Sequence, residues 1–540
     1  MRPARTARTA LWIGLCAAAP LSACQRPGQA KIHDEADSSD GTNDDGGDGN
    51  NSGALDPALQ LGPVQTCAAP LSSPAYVEQG EALGFLPRDV DDGSRLGGSS
   101  IAALDLDQDG DIDVVESRRG SIPRVYWREG AQFEDALLLT SPADGRVRPL
   151  DLDNDGWTDL VQTDPDFWWP GGPDGIGGSQ RLRIGDGELS VIDLLPLDLN
   201  RDGTLELFAA IQSMDPSPDP RRDGVLWGDL EAGWALEALP APESAGNAAH
   251  ASAVDWDQDG DLEVMVTNDM GGRFGGNQLW AEDEGWFRLR AAPGCLPTVS
   301  GMGQAFGDVD NDGDEDLYVG ATFEPKLLRH EDDHSCVDLT AVTRANPLVE
   351  RAPSLGPMVW AAVFLDHDND GRLDLLLTEG DLINPPGEGD VLPAYPSPID
   401  LLVQQPDGTF VDQGASLGLA REGSHRGALA EDLNDDGVLD LLVAEADRPL
   451  QVYLSTGCLA AAHLRIEAPE GTVARVQIDG LERFGVVRAE QGVGAWRSPS
   501  LHLGLGAAEA VDRIELRAPS GAMIAVDGPI SARRTLRWTP

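Results

Sequence analysis

The sequence is short of positive charge. Lysine stands only at Lys31 and Lys326, and Lys plus Arg total 39 against 92 Asp plus Glu, a net charge of -53 over 540 residues. A surface this acidic argues against nucleic acid as a partner, because a phosphate backbone demands the opposite sign. Long apolar runs are also missing. The run from Ala10 to Leu21 is too short to span a bilayer permanently, and no later stretch resembles a membrane helix. Catalytic signatures are absent too: there is no His-Glu-x-x-His, no phosphate loop and no paired-cysteine zinc motif, and the eight His are scattered. Cysteine is scarce, at six.

What is present is one nine-residue phrase. It begins as Asp105, Asp107, Asp109, Gly110 and Asp113, with carboxylates at positions 1, 3, 5 and 9 and glycine at 6. It returns as Asp151, Asp153, Asp155, Gly156, Asp159; as Asp198, Asn200, Asp202, Gly203, Glu206; as Asp255, Asp257, Asp259, Gly260, Glu263; as Asp308, Asp310, Asp312, Gly313, Asp316; as Asp366, Asp368, Asp370, Gly371, Asp374; and as Asp432, Asn434, Asp436, Gly437, Asp440. Alternate carboxylates around a glycine turn wrap a hard divalent cation, as the first nine positions of an EF-hand do. The two Asn keep a carbonyl oxygen and drop a charge. Position 7 varies freely (Asp111, Trp157, Thr204, Asp261, Asp314, Arg372, Val438), as expected where only its backbone carbonyl is a ligand. Glu116 falls at a twelfth position, but the other copies have no Glu there, so position 9 closes each site. The expected cofactor is calcium, about seven ions. His367, at position 2 of the sixth copy, is expected to point away from the metal into solvent.

The copies start 46, 47, 57, 53, 58 and 66 residues apart. Several have an apolar run on either side, then a third and a fourth strand-like segment, often with an aromatic residue. Four strands per unit at this spacing predict an all-β, seven-bladed β-propeller with metal-binding hairpin loops. The last unit lacks a fourth strand, and Tyr76–Gly84 matches the fourth-strand segment Phe410–Gly418, so the N-terminal strand is expected to close the ring. Trp168 and Trp169 fall at third-strand positions and are expected in the core.

Residues 1–23 read as an export signal ending Leu21-Ser22-Ala23-Cys24, which resembles a bacterial lipobox with Cys24 as the lipidated residue. Residues 24–65 read as a disordered acidic tether. Cys67, Cys295, Cys336 and Cys458 allow three pairings. Cys67 and Cys458 flank the expected closure and are paired on that ground, leaving Cys295 with Cys336. After a propeller at 66–460, residues 461–540 carry no such phrase. Their alternating runs predict a small antiparallel β domain.

The repeated loops with their strands resemble the FG-GAP/VCBS repeats of integrin-α-like propellers. Leu501-His502-Leu503-Gly504-Leu505-Gly506, Val511-Asp512-Arg513-Ile514 and Pro519-Ser520-Gly521 resemble the ASPIC/UnbV domain that follows such repeats in cartilage-acidic-protein-like chains. That resemblance implies extracellular binding or adhesion rather than a reaction. The expected protein is a monomeric lipoprotein of the outer membrane or cell surface, touching the membrane only through its lipid. Strand order puts the metal loops on one rim and the long connections at 215–224, 269–277 and 380–398 on the other, where a protein or glycan ligand is expected. The alternatives are a calcium-dependent carbohydrate-active enzyme of the polysaccharide-lyase kind, marked by a groove joining Arg222, Arg273 and a His such as His250, or a lectin.

Overall fold

The computed structural model describes residues 58–540, apart from 68–69, 71, 74, 86–98, 119–120, 139–145, 164–165, 185–189, 200–203, 213–221, 241–246, 272–275, 284–285, 351–357, 381–396 and 447. The export signal, Cys24, most of the tether, Asn200 and Asp202 therefore lie outside the described residues. So do Arg273 and much of the three long connections.

The chain is all-β, and its repeats form four-stranded antiparallel sheets in a propeller-like arrangement. The first repeat runs Ser99–Leu104, Asp113–Arg118, Arg124–Glu129 and Gln132–Leu138, and the later repeats follow the same order. First strands of most successive sheets pack against one another, and that of the last, His425–Glu431, packs against that of the first. Sheets stacked between two neighbours are buried on both faces, so their inner strands read as continuous apolar runs rather than alternating ones. Every residue of Ser99–Leu104 and Asp113–Arg118 is buried. The cores lie between sheets. Phe208 and Val225 of the third repeat meet Trp280 and Phe287 of the fourth, with Phe208 and Phe287 edge to face at 5.5 Å. Trp168 and Trp169 are buried, as expected.

Tyr76–Glu78 is the outer strand of the last sheet, in register Tyr76↔Ser455 with Gln451–Ser455. The Tyr76 ring is buried and its hydroxyl donates to the Leu439 carbonyl at 3.3 Å. Both disulfides are paired as expected. Cys67–Cys458 stands beside this closure with Cα atoms 5.4 Å apart, and Cys295–Cys336 ties the fourth repeat to the fifth at 4.9 Å.

The C-terminal region departs from the reading of a separate antiparallel domain. One of its sheets is antiparallel: Leu481–Val486, Val473–Ile478, Ala510–Arg517 and Met523–Ser531. The other contains parallel pairs, Ala462–Glu467 with Arg534–Trp538, and runs on into the ring, because Ala495–Arg497 lies parallel to Ile101–Ala103. Alternation of apolar residues fixes which face is buried but not strand direction, so sequence alone could not separate the two pairings. The tether boundary moves as well. Leu59–Leu61, assigned to the tether, pairs with Leu536–Trp538, and Leu59 is buried against Leu464, Leu536 and Trp538. Two leucines spaced to face one side of a strand are enough to dock that segment. No helix among the described residues is long and apolar enough to cross a membrane.

Candidate metal centres

Most described loops are built by the same bonds, the fourth differing in that Asp255 accepts, of the turn's N–H groups, only that of Gly260, at 3.1 Å. The position-1 carboxylate caps the turn: Asp105 accepts from the N–H groups of Asp109 and Gly110, both at 3.0 Å. Asp151, Asp308, Asp366 and Asp432 do the same in their loops. Position 9 opens the second strand and fastens the loop to it. Asp113 accepts from the Leu106 N–H at 3.1 Å, and Asp159, Glu206, Glu263, Asp316, Asp374 and Asp440 accept from the corresponding N–H. The position-7 N–H of Asp111, Trp157, Asp261, Asp314, Arg372 and Val438 is bonded to the position-5 carboxylate. Asp198 and Thr204 belong to the third loop, whose middle lies outside the described residues.

Several of these clusters have the geometry of a cation site. Ligand atoms of Asp105, Asp107 and Asp113 lie within 4.8 Å of one another, as do those of Asp151, Asp153 and Asp159, and of Asp308, Asp310 and Asp316. Asp255, Asp257 and Asp259 form a further set, and His367, Asp368 and Asp374 another. The fit is supported by buried oxygens with nothing to bond: Oδ1 of Asp107 and Oδ1 of Asp257. Burial, reinforced by the neighbouring carboxylates, pushes Asp113, Glu263, Asp308 and Asp432 up to about 7 and Asp316 to about 8. Outside the His367 cluster the donors are all oxygen, and such a set with repulsion of this kind suits a hard divalent ion.

The expectation for His367 is overturned. It is buried, and its Nδ1 lies 2.5 Å from Asp374 Oδ2. Position 2 faces the core, which is why Leu106, Trp256, Val309 and Leu433 are buried at the same place. Glu116 is not a loop ligand. It is buried in the second strand, where its Oε1 accepts from Arg118 Nε at 2.8 Å.

Sequence reasoning missed a second constellation, in the middle of the ring. The turn between Arg488–Glu490 and Ala495–Gly506 enters the centre and touches several repeats. Ile101 N–H donates to Gly494 O at 2.8 Å, Ala430 N–H to Gln491 Oε1 at 2.8 Å, and Arg488 Nη1 to Ala253 O at 2.8 Å. Gly492 and Gly494 have φ of 108° and 62°, and an added Cβ would meet the Ala362 and Ser99 carbonyls, so only glycine fits. Glu490 lies 2.8 Å from His250 Nε2 and accepts from Ser252 Oγ at 2.6 Å, while Asp193 holds His250 Nδ1 at 3.0 Å. Burial opposes a charge on His250, but the carboxylates on either side raise its pKa overall. Ser252, His250 and Asp193 have the order of an acyl-transfer triad. Glu490, however, contacts both the Ser252 hydroxyl and the His250 Nε2, so the carboxylate fills the place a substrate would need between them. Arg146 and Arg148 complete the network through Asp193. The available signal was polar: Arg148, Asp193 and His250 interrupt largely apolar first strands, and Arg146 stands just before one.

The comparisons with known proteins agree at the level of the repeats. Residues 105–162 and 255–319 match the FG-GAP-like repeat family model. No curated protein matches the chain. Among solved structures, an Agrocybe aegerita protein that recognises non-reducing terminal N-acetylglucosamine is similar at 11% identity over 55% of this chain and 80% of that one, with a TM-score of 0.35. The V. cholerae biofilm matrix protein Bap1 matches at 14% over 82% of this chain and 62% of its own, at 0.29. BBS1N in complex with ARL6DN matches at 9% over 72% and 100%, at 0.38.

Proposed function

We propose that this chain is a calcium-stabilised, exported binding or adhesion protein without catalytic activity. It is read as a monomeric seven-bladed FG-GAP/VCBS propeller with an ASPIC/UnbV-like C-terminal domain, held to a membrane by lipid on Cys24. Calcium is favoured by the oxygen donor sets and their buried unpartnered oxygens. At free calcium about ten times Kd, linkage contributes about 1.4 kcal/mol per site. Seven sites then contribute about 10 kcal/mol, comparable with a whole domain's net stability.

The observation that carries the ligand face is the seating of the C-terminal domain on the metal-loop rim. Arg517 reaches Asp255, Arg483 reaches Asn311 and His502 reaches Asn369. The fourth to seventh loops of that rim are committed to the chain's own domain, so the protein or glycan ligand is assigned to the opposite face. Cell-surface and glycan-array binding by the full chain tests this, alongside a variant lacking Pro385–Pro396. Lost binding at unchanged calcium content supports the assignment, and retained binding contradicts it. Release of cleaved sugar from a polysaccharide would replace it with the carbohydrate-active reading.

A further inference from the structure

Neighbouring metal loops are tied to each other. Gln108, at position 4 of the first loop, donates from Nε2 to the Gly156 carbonyl of the second at 2.8 Å. Gln258 of the fourth loop donates to Gly313 O of the fifth at 3.3 Å, and Asn369 of the sixth to Gly437 O of the seventh at 2.9 Å. Each donor is position 4 of one loop, and each acceptor is the position-6 glycine of the next. Position 4 is left-handed in every loop where it is described: φ is 58° at Gln108 and Asn154, 56° at Gln258 and Asp435, 60° at Asn311 and 59° at Asn369. Asparagine adopts that conformation readily, but glutamine, as at Gln108 and Gln258, holds it only where its surroundings impose it. A loop wrapped on an ion is such a surrounding.

The C-terminal domain binds at these ties. Arg475 Nη2 reaches Gln258 Oε1 at 3.3 Å and Gly313 O at 3.4 Å, straddling the fourth and fifth loops. Arg483 Nη1 donates to Asn311 Oδ1 at 2.7 Å, and its guanidinium fills the space beside Gly371, so it bridges the fifth and sixth. At the sixth and seventh, His502 Nε2 meets Asn369 Oδ1 at 2.7 Å, Gly506 N–H donates to Asn369 O at 2.8 Å, and the His463 ring closes on Gly437. The Gln108–Gly156 tie makes no hydrogen bond to this domain among the described residues.

We propose that the rim of the fourth to seventh loops is a calcium-dependent docking surface whose partner is the chain's own C-terminal domain. Ions in these loops set the position-4 side chains that Arg475, Arg483 and His502 bind. By reciprocity, the seated domain tightens calcium in the fifth to seventh loops, where no guanidinium of its own pairs with a position-1 carboxylate as Arg517 does with Asp255 in the fourth, and makes their filling cooperative. The inference rests on the calcium reading above.

The test is hydrogen exchange of the full chain across a calcium titration, with bound ions counted in parallel by native mass spectrometry. Peptides covering Val473–Ile478 and Leu481–Val486 are expected to exchange about tenfold or more faster in chelator, over the calcium range in which the loops empty. Arg475→Ala combined with Arg483→Ala is expected to move that midpoint to roughly fivefold higher calcium. Arg513→Ala, whose bonds to Glu515 and Asp527 stay within the domain, should leave it in place. Ions that bind while the peptides stay equally protected, with an unmoved midpoint, would overturn the docking inference and leave the calcium reading intact. Absence of bound ions would sink both. If the double variant does not fold, the titration of the unaltered chain decides alone.

Discussion

The first and fourth loops share one phrase and the same position-7 and position-9 bonds, yet their surroundings differ. In the first loop the nearby Arg128 turns its Nε to Gly130 O at 2.7 Å and offers Asp113 only its backbone N–H. In the fourth, Arg290 pairs with Asp257 and with Glu263, the latter at 3.0 Å, and Arg517 lies 3.3 Å from Asp255. Three would-be ligands there already face guanidinium groups. The phrase therefore specifies the turn, and the neighbouring strand and domain set how much negative charge remains for an ion. Like motifs in one ring need not have like affinities.

The comparison can be broken most sharply at position 9. Asp113→Asn removes charge where no cation compensates. It is expected to lose one ion per chain and about 2–4 kcal/mol of calcium-bound stability by denaturant unfolding. Glu263→Gln should cost less than half as much, and equal losses would contradict the contrast. Next in size is the pH response. Carboxylates at about 7 to 8 in the folded chain and near 4 unfolded favour the folded state most at acid pH, and that stability is lost as pH rises through their folded values. Chelated protein should thus melt higher at pH 5 than at pH 8. Calcium-loaded protein should do the reverse, since acid strips the ion. Parallel pH profiles with and without metal would refute the assignment of these groups. Smaller again, Arg290→Ala is expected to tighten calcium at the fourth loop by roughly tenfold, a change of about 1.4 kcal/mol, with Arg128→Ala neutral at the first. Isothermal titration reads both. Arg517→Ala should change the fourth loop least, because that pair is partly exposed and screened.

Much of the ring was legible in the sequence because its signals are local. Position 9 opens the second strand in every repeat, and the match of Tyr76–Gly84 to Phe410–Gly418 located the closing strand and hence the Cys67–Cys458 pair. The central turn was not legible. Arg488 to Gly494 reads as a polar, glycine-rich loop, and its partners His250, Ser252 and Ala430 come from distant repeats. Buried charges such as Asp193 and Arg148 announced that partners were needed without naming them. His367 was misread from its place in the loop, although the apolar residues at position 2 of other copies already marked that place as inward-facing.

The most direct test of the calcium account is the number of ions bound to the full chain, with its thermal midpoint measured in calcium and in chelator. The account predicts close to seven Ca²⁺ and a midpoint at least roughly 10 °C lower in chelator. No bound metal and an unmoved midpoint would make the Asp-rich turns ordinary capped hairpins and contradict it.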